Sequence, residues 1–240
     1  MTKLTCGERL DGNGIPVHGT GFEYESDGYV AELLAQRSGP VVSSPQQGEW
    51  VWELVGSAES NGEFERYAVV CPTGNQGPIT HFHPTFDELF KVVSGTFALK
   101  ADGEDITLEA GEELMVKKGT VHTFRCVGDD GEHGVLIAET YPAVGFTDLL
   151  YTGFGLGHEG KTKSSGDPKL LQMMVMLRGF RTSLGICGSD LMTPVPPGQT
   201  VVAIISRILA PLGRLLGYKA NFPQYLEKEF WEKHVNQPPK

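Results

Sequence analysis

Between Glu49 and Tyr141 the chain is written in short runs of β-branched and aromatic residues: Trp50 to Val55, Phe64 to Cys71, Glu88 to Val93, Thr96 to Lys100, Ile106 to Leu108, Val121 to Val127 and Val135 to Thr140. Turn-forming clusters separate these runs, among them Ser94-Gly95, Ala101-Asp102-Gly103-Glu104, Lys118-Gly119 and Asp129-Asp130-Gly131. Short strands at such regular spacing predict an antiparallel sandwich or barrel.

The flanks follow other patterns. Residues 1–26 are polar and Gly-rich, which predicts an arm or irregular loop. Asp27, followed by Tyr29 to Ala35, predicts a short capped helix that stops at Gly39-Pro40. Past Tyr141-Pro142 the apolar period turns helical. Asp167-Pro168 reads as an N-cap and first helical position, with Leu170, Leu171, Met173, Met174, Leu177 and Phe180 behind it at helical spacing. Pro194, Pro196, Pro197 and Gly198 break the chain, and Thr200 then caps a helix running to Pro211 and on towards Gly217. A last amphipathic segment spans Pro223 to His234. The expected organisation is an N-terminal arm with a short helix (1–48), a β-barrel (49–141) and an α-helical C-terminal extension packing on the barrel (142–240).

Composition agrees with a turn-rich β protein. Gly (31) and Pro (15) together exceed the roughly 12% average for the pair. A chain of 240 residues buries a core without disulfides, and the four cysteines, Cys6, Cys71, Cys126 and Cys187, form neither a CxxC pair nor a dense framework. A net charge of −10 argues against a nucleic-acid binder, which needs a basic face to release counterions. The charge is uneven: residues 1–141 hold 9 Lys and Arg against 23 Asp and Glu, whereas residues 142–240 hold 11 against 7. Opposite fields attract, so a basic tail is expected to dock on an acidic body. Val201 to Leu216, the most apolar stretch, contains Arg207, Pro211 and Arg214 and falls short of the ~20 residues of a membrane span. It reads as an amphipathic helix, so no transmembrane segment is expected. Met1 to Gly14 carries no apolar core of signal-peptide length, and the expected location is cytoplasmic.

The chemistry concentrates in two stretches. His81-Phe82-His83 is followed after four residues by Glu88, and six residues later by Gly95. Some 34 residues past Glu88 comes Gly119-Thr120-Val121-His122, with Gly111 eight residues before Gly119. Alternation along a strand puts His81 and His83 on one face. Glu88 opens the next strand across a Pro84-Thr85 turn, and His122 follows the tight turn that Gly119 permits. Three neutral imidazoles and one carboxylate make a ligand set for a divalent transition ion. Packed into an apolar cavity without an ion, the same groups would be costly to bury.

These residues resemble the cupin superfamily pattern. Its first half, HxH, a gap of three or four, E, a gap of six, G, is matched by His81, His83, Glu88 and Gly95. Its second half is matched by Gly111, Gly119 and His122. Asn75 stands where the first half opens with Gly, Lys117 where the second half has Pro, and Cys126 where it has Asn. The resemblance implies a double-stranded β-helix (jelly roll) over roughly residues 49–141, with His81, His83, Glu88 and His122 as metal ligands. Apart from the resemblance, Cys126 lies four residues after His122 on the same strand face and is a candidate thiol behind the ligands or against substrate. Lys117, beside the turn, is a candidate contact for an acidic substrate at the barrel mouth. A small buried hydrophobe and a solvated turn residue are nevertheless the ordinary uses of these two.

Elsewhere the side chains have bland readings. His18, His133, His158 and His234 read as surface histidines, and Trp50 and Trp52 share one strand face as core or cavity lining. Met173, Met174 and Met176 suit either a helix core or a lid over an apolar ligand. Glu139 and Tyr141 are weak candidates for an acid–base role.

An octahedral ion with four protein ligands keeps two adjacent open positions. Fe, Ni or Cu there supports O2 chemistry, whereas Mn, Zn or Ni serves as a Lewis acid. The reading is an Fe(II)-dependent oxidoreductase of dioxygenase type acting on a small, largely apolar organic substrate. The alternatives are a non-oxidative isomerase, decarboxylase or other lyase at the same site, and a non-catalytic ligand-binding or storage cupin. No helix-turn-helix with a basic recognition helix accompanies the barrel. A homodimer is expected, because jelly-roll sheets have edges and faces to cover.

Overall fold

The computed structural model describes residues 2–180, 185–186 and 196–239, without the side chains of 186, 196–201 and 203. Cys187 and Pro194 lie outside the described residues. In chain order the elements are β1 (Lys3–Cys6), β2 (Phe22–Glu25), α1 (Tyr29–Ala35), β3 (Val42–Ser44), β4 (Glu49–Val55), β5 (Glu65–Pro72), β6 (His81–Phe82), β7 (Asp87–Ser94), β8 (Thr96–Ala101) and β9 (Glu104–Glu109). There follow β10 (Glu113–Val116), β11 (His122–Val127), β12 (His133–Tyr141), α2 (Phe146–His158), α3 (Leu170–Gly179), β13 (Gly185–Ile186), α4 (Pro196–Leu215), α5 (Pro223–Leu226) and α6 (Lys228–His234).

Two antiparallel sheets make the body. One has the order β10-β7-β12-β5-β4-β3 and the other β13-β6-β11-β8-β9, a jelly-roll arrangement in which sequence neighbours repeatedly exchange sheets. Period-2 alternation turns the apolar rows of the two sheets towards each other. Phe90 on β7 and Phe124 on β11 meet across the gap with ring centroids 5.2 Å apart.

The outer face of the larger sheet needs a cover, and the N-terminal segment supplies it. Trp50 and Trp52 point outwards from β4, where Phe22 of β2 stacks on Trp52 at 6.2 Å. Their indole N–H groups donate to Gly7 O and Leu33 O. Residues 1–26 are therefore not an irregular arm: β1 and β2 pair over Lys3–Cys6 and Phe22–Glu25, with Cys6, Phe22 and Tyr24 buried. Polar residues on the solvent side of so short a pair hide its apolar face from sequence inspection. The large sheet also begins ahead of Glu49, because Val42–Ser44 pairs with β4. The first helix is capped by Gly28 rather than by Asp27.

The C-terminal extension is helical, and it wraps the barrel more closely than its pattern foretold. Helix α2 carries three glycines in its last turns, which hid it from the sequence reading. Two of them allow close approach: a Cβ on Gly155 would stand 2.4 Å from the Tyr225 ring, and one on Gly157 2.7 Å from the Gln46 side chain. The third helix starts at Leu170 with Lys169 as its cap, while Pro168 bridges to Thr162, so Asp167 is not the N-cap. The next helix begins at Pro196 and not at Thr200. Proline is tolerated in a first helical turn, where its missing N–H has no partner to lose. It passes through Pro211 and closes at Gly217, whose positive φ suits the end of a helix. The final segment is two helices, interrupted at Glu227.

The end of the chain returns to its beginning. Gly7 N donates to Asn236 O at 2.8 Å, Asn236 N to Glu8 O at 2.7 Å, and Leu10 N to His234 O at 2.8 Å. His158 and His234 are not surface histidines. The His158 ring packs edge-on to the buried Trp231 and lies 3.0 Å from the Ser43 hydroxyl, which joins α2 to the sheet edge. Burial, reinforced by His234, pushes the His158 pKa from 6.5 down to about 4. The unfolded chain takes up this proton near pH 6.5 and the folded chain only near pH 4. The contribution of this group to stability is therefore present above pH 6.5 and lost progressively as the pH falls to 4. A thermal melt series should show a shallower fall of Tm between neutral pH and pH 5 for His158→Gln than for the parent. Identical slopes would assign the acid lability elsewhere.

Candidate metal centre

Three strands bring the four polar groups together. His81 and His122 are ladder partners across β6 and β11, and His83 follows β6 by one residue. Glu88 lies on β7 of the facing sheet, opposite Val116 and Thr140. One donor atom from each of the four residues falls within 4.8 Å of the others, and all four side chains are buried. The convergence of positions 81, 83, 88 and 122 read from the strand pattern is what the barrel assembles.

The surroundings aim these donors. His81 Nδ1 donates to Ile79 O at 2.8 Å and His122 Nδ1 to Thr120 O at 2.9 Å, which turns each Nε2 towards the shared point. Glu88 Oε2 lies 3.1 Å from His83 Nε2 and 3.0 Å from His122 Nε2. The His83 ring stacks on Phe86 at 4.2 Å and meets the edge of Phe146 at 5.4 Å. Gly119 N donates to His83 O at 2.8 Å, so the turn before β11 also holds the HxH segment.

The electrostatics are those of a tightly coupled set. Burial opposes charge on Glu88, yet the neighbouring imidazoles of His83 and His122 and their hydrogen bonds outweigh it and hold this carboxyl well below its ordinary range. Burial, then the neighbouring imidazoles of His122 and His83, keep His81 neutral far below its ordinary pKa. At His122 burial is overcome by the Glu88 carboxylate, which raises the imidazole pKa. Three nitrogen donors and one oxygen donor, buried and directed at one point by backbone carbonyls, fit a divalent transition ion.

The centre forms part of the wall of a cavity of about 190 Å³. Phe90, Phe124, Tyr67 and Val69 line it from the sheets. Phe146, Leu149 and Phe154 of α2 and Met173 and Met176 of α3 continue the lining, so the extension adds aromatic and thioether surface to the site. Met174 and Leu177 turn the other way, into a satellite cluster with Val202 and Leu209 of α4.

The remaining candidates lie elsewhere. Cys126 is buried, but a Cβ on Gly134 would stand 2.7 Å from its sulfur, which places the thiol against β12 and not in the cavity wall. Its backbone N donates to Asn75 Oδ1 at 3.2 Å, so two of the positions that differ from the family pattern pin one another. Lys117 is exposed and ion-paired with Asp87 at 2.9 Å, away from the cavity. Glu139 is on the opposite face of β12, bound to Arg66 and Tyr141. Glu49, Ser44 and Gln47 line the cavity and escaped the sequence reading, because a carboxylate just ahead of a Trp-rich strand reads as turn surface.

Residues 67–136 match the family model of the cupin domain. A segment of 50 residues is 40% identical to the polyketide synthase CurC of Streptomyces cyaneus, covering 21% of this chain; the chain spans about a third of that relative's length. Among solved structures, an RmlC-like cupin from Shewanella frigidimarina is similar at 22% identity and TM-score 0.39, over 46% of this chain and 89% of that one. A predicted oxalate decarboxylase from Thermotoga maritima is similar at 19% identity and TM-score 0.37, over 43% of this chain and 92% of that one.

The Phe146 ring is where the extension touches the centre. Phe146→Ala removes a buried aromatic that packs on Tyr67, His83 and Phe86. Urea unfolding should show a loss of about 3 kcal/mol. A loss below about 1 kcal/mol would mean that α2 is not anchored through this ring.

Proposed function

This chain belongs to the cupin superfamily, and from that premise we propose that it is a metal-dependent oxidoreductase of dioxygenase type. His81, His83, Glu88 and His122 would hold a divalent transition ion, Fe(II) by preference, with Mn, Ni, Zn or Cu as other occupants. The observation that carries the reading is the four-donor cluster, buried at the wall of an apolar cavity, with its donor atoms within 4.8 Å of one another. When bound, the ion would supply the redox and Lewis-acid chemistry that a dioxygenase needs.

What the chain's own residues do supports this assignment. Backbone carbonyls of Ile79 and Thr120 orient two imidazoles, Phe86 stacks on the third, and α2 and α3 line the cavity with apolar side chains. No Lys or Arg among the described residues lines the cavity, so a small polyanion finds no counter-charge in the protein, whereas a largely apolar molecule finds matching walls. Glu139 and Tyr141, turned away on β12, leave acid–base chemistry beside the cluster without an obvious agent. The expected setting is the cytoplasm; no described helix is long and apolar enough to cross a membrane. The assembly is expected to be a homodimer, supported by the exposed Ile204, Ile208, Leu212 and Leu215 of α4.

Reconstitution with Fe(II) should leave about one equivalent per chain after desalting, and His83→Ala should abolish both retention and turnover. Oxygen uptake should accompany turnover of apolar substrates. Turnover unchanged under strict anaerobiosis would replace the oxidative reading by the isomerase or lyase one, and failure of every tested ion to bind would favour a ligand-binding module.

A further inference from the structure

The cavity has a second polar place, on β3 and β4 at the edge of the large sheet. Glu49 and Ser44 are direct ladder partners on β4 and β3, so their side chains share one face, and both line the cavity. Glu49 is only 7% exposed and Ser44 only 4%. The sole described hydrogen bond to the Glu49 carboxylate comes from the Cys71 thiol, at 3.9 Å, and thiols are weak donors. It has no cationic partner among the described residues. The Ser44 hydroxyl has no described partner either. Their polar neighbours are already engaged: Gln47 Nε2 donates to Gly77 O, and Asp167 accepts from Ser165 Oγ.

Strand register separates this pair from Glu88 along the large sheet. Glu88 is level with Thr140, and Thr140 with Glu65 on β5. Trp50 pairs with Val70, which sets Glu49 level with Cys71, six residues further along β5. At about 3.3 Å per residue the offset is roughly 20 Å along the strands. Between the two lie Phe90, Ala138, Tyr67, Val69 and Val51, a diagonal of apolar side chains with the Tyr67 hydroxyl turned out to Thr147. The cavity is therefore apolar along its length and polar at two separate places.

A carboxylate kept in an apolar wall with one weak thiol donor and no cation is costly to hold, and the fold gains nothing visible from it. We infer that Glu49, with Ser44, is a recognition site for a hydroxyl group on an elongated, largely apolar substrate, borne at the end opposite to the one that meets the metal centre. Ser44 Oγ–H would donate to the ligand oxygen, and the ligand O–H would donate to the Glu49 carboxylate. Burial already pushes the Glu49 carboxyl up to about 7, as expected of a group awaiting a hydrogen-bonding partner. The metal-centred reading enters only through what stands at the other end of the cavity.

Binding of 4-hydroxybiphenyl and of biphenyl, measured by quenching of tryptophan fluorescence on zinc-loaded and on metal-free protein, tests this site. The parent should bind the hydroxylated probe about tenfold more tightly in both states, and Glu49→Leu should erase the preference while leaving biphenyl affinity and metal content unchanged. Glu49→Leu should also raise Tm, because it removes a buried carboxylate held only by a weak thiol donor; a purely structural Glu49 would lower it. Glu49→Gln, the closer isostere, should retain a preference of about threefold or less, and it serves if the leucine variant does not fold. Equal affinities in the parent, a preference that survives both substitutions, or no binding of either probe overturns the assignment. Loss of metal binding alone would overturn the metal-centred reading and leave the hydroxyl site standing.

Discussion

One carboxylate oxygen shared by two imidazoles organises the barrel. Glu88 Oε2 stands 3.1 Å from His83 Nε2 and 3.0 Å from His122 Nε2, with His81 beside them and solvent excluded. Four polar groups so deep in an apolar interior are tolerable only when each is directed at another or at a ligand. The two carbonyls that orient His81 and His122, the Phe86 ring under His83 and the turn at Gly119 all serve that condition. A shift of any one strand by a single residue would turn its donor to the far face of its sheet.

Closure of the cavity depends on chain that lies outside the two sheets. Helices α2 and α3 lay Phe146, Leu149, Met173 and Met176 against it, and α2 is in turn clamped by Tyr225, Trp231 and the Ser43 edge. The final residues then run beside Gly7 to Leu10. The segment that lines one side of the site is thus held by the segment that covers the outer face of the sheet. The charge balance predicts a basic tail docked on an acidic body, but among the described residues aromatic packing and backbone hydrogen bonds hold the extension, and no ion pair joins it to the barrel.

Where local pattern and final structure agree, the reason is burial on one face. The runs from Trp50 to Val55 and from Phe64 to Cys71 became β4 and β5 because each packs alternate side chains inwards. Lys3–Cys6, Phe22–Glu25 and Val42–Ser44 were illegible because three or four residues carry too few turns of alternation to stand out from loop. Helix α2 was illegible for the opposite reason. Its glycines lower its helix propensity, and they are there to let Tyr225 and Pro45 come close, a requirement that belongs to residues remote in sequence.

The amino-acid order by itself determined the period-2 strands, the turns between them and the spacing that sets His81, His83, Glu88 and His122 on inward faces, because strand alternation is a local property. Tertiary structure alone decided that Cys126 turns to Gly134 and Lys117 to Asp87, while Glu49 faces the cavity. Which face of a strand meets a ligand, and which meets another element, depends on what packs there, and no stretch of chain carries that information about itself.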